Sequence, residues 1–180
     1  MRKEYSDPFD NILYNISDYI SEPLNNLNIT PNMVTLLSIA TNKIAFDLLE
    51  KKQNKLACLI ILFTYFLDNL DGFLARKYKK ISKIGDYLDH GSDIIFGISI
   101  LYQLYKQNQW KKLQIKFAIY LFFAFLMTTH IGCQEIIKDS DDSPSISWTM
   151  MLCKSKSWIK YTRFFGPGMF ILVSCSLFLW

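Results

Sequence analysis

The chain has 180 residues, enough for one domain, of which 51% are apolar, 20% charged and 16% aromatic. That composition excludes a disordered chain, and the scarcity of glycine (7) and proline (5) excludes a collagen-like one. The net charge of +4 is modest, and no basic-aromatic module accompanies it, so no nucleic-acid partner is expected.

Residues 8–27 form the first unit. Asp7 followed by Pro8 reads as an N-cap with proline at the first helical position. Phe9, Ile12, Leu13, Ile16, Ile20, Leu24 and Leu27 recur at three- and four-residue steps, opposite Asp10, Asn11, Asn15, Asp18 and Glu22. This predicts an amphipathic helix lying along a membrane surface, with Pro23 kinking or ending it near Glu22. No signal peptide is expected, because the early apolar stretch is periodic and not continuous.

Thr30-Pro31-Asn32 reads as the next helix start, and an apolar run follows to Leu49. Lys43 and Asp47 within it are spaced to pair on one helical face. Further apolar runs cover 56–67, 84–105, 115–137 and 164–180. A helix needs about 20 apolar residues to cross the hydrocarbon core, so five segments approach a span. A sixth, around 146–153, is short and polar, and Gly166-Pro167 places the start of the last helix near Pro167. The expected architecture is all-α: five to six transmembrane helices in 31–180, preceded by an interfacial segment in 1–30. More Lys and Arg fall in the N-terminus, 76–83 and 138–163 than in the intervening loops, which favours a cytosolic N-terminus. The four cysteines, Cys58, Cys133, Cys153 and Cys175, contain no C-x-x-C pair, so neither a disulfide scaffold nor a zinc site is expected.

The informative segment runs from Asp68 to Asp93. Asp68 and Asp71 are three residues apart and share a helical face, which Gly72 and Ala75 continue almost bare. Asp89 and Asp93 share a face of the next helix, with Asp86 and His90 beside them. A short basic loop joins the two helices, which predicts antiparallel neighbours whose carboxylates converge. Carboxylates in apolar helices are costly and repel one another unless cations lie between them. Hard divalent ions, Mg²⁺ or Mn²⁺, prefer such all-oxygen ligands, and a pair of them clamps an in-line displacement at phosphorus. Arg76 is suited to pair with phosphate oxygens.

Asp68 to Asp93 reads D-x-x-D-G-x-x-A-R-x8-G-x-x-x-D-x-x-x-D. This resembles the signature of the CDP-alcohol phosphatidyltransferases, with every position filled, and the segment from Thr30 to Thr35 resembles the start of that family's first span. The resemblance covers roughly residues 8–110. It implies a multi-pass membrane enzyme, typically homodimeric, with its active site near the cytosolic face. Such an enzyme transfers a substituted phosphate from a CDP-alcohol to an acceptor hydroxyl and releases CMP. It further implies that Asp68, Asp71 and Asp89 hold two divalent ions, with Asp93 as general base touching a metal as well. Gly72, Ala75, Arg76 and Gly85 would line the CDP-alcohol site, joined by Ser82, Thr30, Pro31, Asn32 and Thr35. Either partner could carry the CDP, a lipid with a polar alcohol accepting or a small alcohol with diacylglycerol accepting. The Asp89-His90-Gly91 triplet resembles that of choline and ethanolamine phosphotransferases.

Other residues read as supporting ones. His130 is expected as a hydrogen-bonded packing residue, and Lys154, Lys156, Lys160 and Arg163 as contacts to lipid headgroups. Two other classes share the feature of membrane carboxylates. An aromatic prenyltransferase would need a second Asp-rich motif, and an ion or proton transporter would not need Gly72, Ala75, Arg76 and Gly85 at fixed spacing.

Overall fold

In a computed structural model of the chain, residues 5–81, 83–138 and 144–180 are described, without the side chains of 83, 84, 86, 89, 138, 144 and 145. The described residues are helical and contain no strand. Five long helices come first: α1 Pro8–Asn26, α2 Pro31–Glu50, α3 Asn54–Lys77, α4 Lys83–Gln107 and α5 Trp110–Lys138. A 3₁₀ segment, Pro144–Leu152, follows. Short turns and α6 (Ile159–Thr162) then lead to α7 (Pro167–Leu179).

Local sequence sets most of these boundaries. The Asp7 side chain accepts from the Phe9 amide at 2.7 Å, and Thr30 Oγ1 accepts from the Met33 amide at 3.3 Å, so both expected N-caps form. Proline occupies the first turn of α1, α2 and α7. The first three helices end alike, on a residue in the left-handed region: Asn28 (φ 58°), Lys52 (φ 57°) and Lys79 (φ 53°). Behind each, an amide reaches back over the last turn: Ile29 to Leu24 O, Gln53 to Leu48 O and Lys80 to Ala75 O. These are Schellman closures built without glycine.

Pro23 neither ends nor replaces part of α1, which runs on to Asn26. Proline withdraws a donor from the carbonyl four residues earlier, that of Tyr19. Tyr19 itself is 86% exposed. The expected single apolar stripe of α1 is also divided. Leu13, Ser17 and Ser21 face the bundle, while Ile12, Ile16, Tyr19 and Leu27 face outward.

Among the described residues, three stretches are long and apolar enough to cross a membrane: Asn54–Lys77, Trp110–Ile137 and Lys156–Leu179. The chain is thus an all-α membrane protein with fewer clear spans than the five to six expected. α2 and α4 are long enough, but Asn42, Lys43 and Asp47 in α2, and Asp86, Asp89 and Asp93 in α4, dilute their hydropathy.

Among the described residues, α2 and α3 make the most extensive contact between helices, and Ala45 and Ala57, both with no exposed surface, lie in their shared core. Small side chains let helix backbones approach where lipid supplies no hydrophobic drive. The main core draws Leu49, Ile61, Ile100 and Leu104 together with Phe170 and Ile171. A second cluster, Val34, Leu67, Leu70 and Leu74, joins the start of α2 to the end of α3, and Ile20 and Leu24 of α1 cover it. Among the described residues, α2 is the main partner of both α3 and α4, so the two motif helices meet through α2 more than side by side.

Cys133 and Cys153 form a disulfide, which overturns the expectation drawn from cysteine spacing. The pairing depends on tertiary approach. At neighbouring Gly132 a Cβ would lie 2.1 Å from Thr149 O, so α5 and the 3₁₀ segment touch backbone to backbone. Lys43 and Asp47 pair at 2.7 Å as expected. His130 is buried as a packing residue, bonded through Nδ1 to Thr162 Oγ1 at 3.1 Å and through Nε2 to Gln134 at 2.9 Å.

Candidate active site at the α2–α3–α4 end

The last three turns of α3 carry Asp68, Asp71, Gly72, Ala75 and Arg76. Leu67, Leu70 and Leu74 hold this end of the helix against α2, which leaves the interleaved polar positions on the flank. Asp68 is half-buried and Asp71 only 4% exposed. A carboxylate this deep needs donors around it. One comes from α2: Thr35, itself 4% exposed, donates from Oγ1 to Asp71 Oδ2 at 2.6 Å. That is the short distance of a charge-assisted O–H···O⁻ bond.

Gly72 gives the face its bareness. A Cβ there would lie 3.0 Å from one terminal nitrogen of Arg76 and 3.4 Å from the other. The guanidinium therefore folds back over Gly72, one turn away, and stays exposed at the end of α3. Ala75 is half-buried next to it. This end thus combines a half-buried and a buried carboxylate with a forked cation of five donors that lies over the Gly72 backbone.

α4 contributes Gly85, half-buried near its start, then His90 and Asp93 on successive turns. The side chain of Asp93 is 57% exposed, and Oδ2 lies 3.7 Å from His90 Nδ1. Ser82 lies outside the described residues, as do the side chains of Asp86 and Asp89. Among the described residues, no three His, Cys, Asp or Glu side chains stand close enough to hold a metal ion. The chemistry of the site still suits a hard divalent ion, since its donors are carboxylate oxygens and one of them is fixed by a neutral hydroxyl.

The other upstream residues divide by role. Thr30 spends its hydroxyl on the helix cap, Pro31 is buried in the first turn of α2, and Asn32 is exposed. Thr35 is engaged with Asp71 rather than presented outward. Of the basic group after the 3₁₀ segment, Lys154 lies over the Trp158 ring, 5.6 Å from its centroid, and Arg163 over Phe164 at 5.5 Å.

A polar group escaped the sequence reading. Tyr65, one turn before Asp68, donates its hydroxyl to Asp10 of α1, and Phe9 stacks on its ring at 6.2 Å. Burial pushes the Asp10 carboxyl up to about 7, with the nearby Asp7 adding to the rise and the bond from Tyr65 opposing it. Asp7 does more than cap α1, because its Oδ2 also accepts from the Met169 amide at 3.1 Å and so caps α7. Its one visible signal was an aromatic with a polar tip inside an apolar run. At the other end of α1, Lys77 pairs with Asp18 at 2.7 Å and contacts Ser21 at 2.8 Å, clamping α1 beside the motif.

Comparison with known proteins bears on the whole of this region. The family described as CDP-alcohol phosphatidyltransferase matches residues 28–175. An archaetidylinositol phosphate synthase of Pyrococcus horikoshii is 37% identical over 83 residues, 46% of this chain and 44% of that protein. A CDP-diacylglycerol–serine O-phosphatidyltransferase of Mycobacterium bovis is 27% identical over 121 residues, 67% of this chain and 42% of that protein. One of the same name from Helicobacter pylori is 33% identical over 78 residues, 43% and 33% of the two chains. The matched part spans less than half the length of each of these relatives. No solved structure matches the chain.

Proposed function

Since this chain belongs to the CDP-alcohol phosphatidyltransferase family, we propose that it is an integral membrane enzyme of phospholipid synthesis. It transfers a substituted phosphate from a CDP-alcohol to an acceptor hydroxyl and releases CMP. The observation that carries this reading is the end of α3, where a buried carboxylate bonded by Thr35 stands one turn from Asp68 and next to Gly72, over which Arg76 lies. The relatives are named for an archaetidylinositol phosphate and for CDP-diacylglycerol with serine. Those names favour a CDP-linked lipid as donor and a polar alcohol as acceptor.

Asp68, Asp71 and Asp89 would hold divalent ions, Mg²⁺ or Mn²⁺, with Asp93 reaching towards them from α4. Bound there, the ions would supply positive charge to the diphosphate and to its departing bridging oxygen. Arg76 adds paired donors to the phosphate oxygens. Gly72, Ala75 and Gly85 let the diphosphate lie against backbone, and Ser82 with Thr30, Pro31 and Asn32 contacts the cytidine side. An alcohol is a weak nucleophile until its proton leaves. Asp93, whose side chain is 57% exposed, takes that proton. The acceptor oxygen bonds to the alcohol-bearing phosphorus as the bridging P–O bond breaks, and CMP departs. The basic residues that follow the motif on α3, Arg76, Lys77, Lys79 and Lys80, support a cytosolic face for this end, with α1 along the membrane surface there and two copies in a homodimer.

The test is CMP release by purified protein in detergent with Mg²⁺. One reaction contains CDP-diacylglycerol and a pool of serine, inositol phosphate and glycerol phosphate. Another contains CDP-choline or CDP-ethanolamine with diacylglycerol. Release in the first reaction, lost in Asp93→Asn, supports the reading and its direction. Release only in the second reverses donor and acceptor. Failure both to release CMP and to bind CDP-alcohol contradicts it.

A further inference from the structure

Thr35 was expected to touch the CDP-alcohol. Instead it lies 4% exposed in the α2–α3 interface, with its hydroxyl against Asp71. We infer that Thr35 is a positioning residue, whose hydroxyl fixes the Asp71 carboxylate in the orientation that receives a divalent cation. This rests on the metal-holding role proposed above for Asp71.

The geometry separates this role from ordinary helix back-bonding. Threonines in apolar helices commonly donate to the carbonyl four residues earlier. Thr128 does so at 2.7 Å and Thr129 at 2.9 Å. Thr35 has a longer such contact, 3.2 Å to Pro31 O, and a far shorter one, 2.6 Å, to Asp71 Oδ2. A hydroxyl has one proton, and the shorter, charge-assisted contact takes it.

The scaffold under Thr35 is built to hold that position. Pro31 starts α2, and Val34, next to Thr35, packs into the cluster with Leu67, Leu70 and Leu74 of α3. Thr35 and Asp71 are thus both buried, each 4% exposed, where the two helices pack. Further along the same seam, Thr64 Oγ1 donates to Thr41 Oγ1 at 2.8 Å, a pair of neutral hydroxyls joining the same two helices. That pair joins α2 to α3 without touching a carboxylate. The hydroxyl at Thr35 is spent on a charged group, and groups that orient a metal ligand from behind typically set metal affinity.

The experiment is Mn²⁺ binding to purified protein, followed by loss of the free-ion electron paramagnetic resonance signal, with no substrate present. Thr35→Val keeps the shape and removes the hydroxyl, while Thr35→Ser keeps the hydroxyl. The expected result is about 10–100-fold weaker Mn²⁺ binding in Thr35→Val, with Thr35→Ser close to wild type. Thr35→Ala carries the same expectation should Thr35→Val not yield folded protein. In turnover, the variant's CMP release should recover as Mg²⁺ is raised, with an unchanged KM for the CDP-alcohol at saturating metal. Unchanged Mn²⁺ binding in Thr35→Val, together with a raised KM for CDP-alcohol, would overturn the inference and make Thr35 a substrate contact. Absence of Mn²⁺ binding in the wild type would remove the metal-holding role itself, an outcome visible before any variant is compared.

Discussion

The two ends of the bundle solve the same problem for different purposes. Both place polar side chains among apolar helices. At the end where α7 finishes, Asn54 Nδ2 donates to Phe178 O at 2.8 Å and Lys116 Nζ to Leu177 O at 2.6 Å. These donors satisfy carbonyls that a helix C-terminus leaves without partners. At the other end, Thr35 serves a carboxylate, and Arg76 lies back over a glycine. Polarity that exceeds what the backbone requires is the mark of a site. At the far end the donors named cap a helix, whereas at the motif end a buried hydroxyl is given to a carboxylate.

Substitutions should separate the two ends cleanly. The largest effect belongs to Asp93→Asn, which should lower CMP release by about 10²–10⁴-fold and leave thermal stability in detergent nearly unchanged. A variant equally impaired in folding would erase the distinction between the ends. Lys116→Met should do the reverse. Removing the donor to Leu177 O should cost about 1–3 kcal/mol of stability in denaturant titration, with Mn²⁺ binding per folded molecule preserved.

Asp10 sharpens the comparison from a third position, where α1 meets Tyr65. Its carboxyl titrates near 7 when folded, against an ordinary value of 3.8. The folded state therefore holds the proton more tightly. The stability this contributes is complete below about pH 4, falls as pH rises towards about 7 and is gone above it. Thermal midpoints measured across that window should decline in the wild type, and Asp10→Asn should remove that part of the decline. A smaller effect is expected at the helix ends. Lys52→Gly should stabilise by about 0.5–1 kcal/mol, because a left-handed φ strains a side chain but not glycine. A chemical melt of each variant would show it.

What was legible in the sequence was local. The caps at Asp7 and Thr30, the Lys43–Asp47 pair and the start of α7 at Pro167 each depend on residues within one turn. The motif was legible for another reason, since its residue types make little sense in an apolar helix unless chemistry requires them. What was not legible depends on tertiary approach. The Cys133–Cys153 bond needs the 3₁₀ segment to fold onto α5. The Tyr65–Asp10 bond needs α1 to dock on α3. Thr35 was named for the site, but only the packing of α2 on α3 shows that it faces Asp71. The spans were overcounted because α2 and α4 are long enough for a membrane but carry charges along their length.

The most direct test of metal-assisted phosphate transfer at the α3–α4 end is CMP release from CDP-diacylglycerol with and without a chelator. Purified protein, the polar alcohol pool and Mg²⁺ should release CMP. EDTA should abolish that release, and excess Mg²⁺ should restore it in the wild type but not in Asp93→Asn. Release that persists in EDTA, or that Asp93→Asn retains in full, would contradict the assignment.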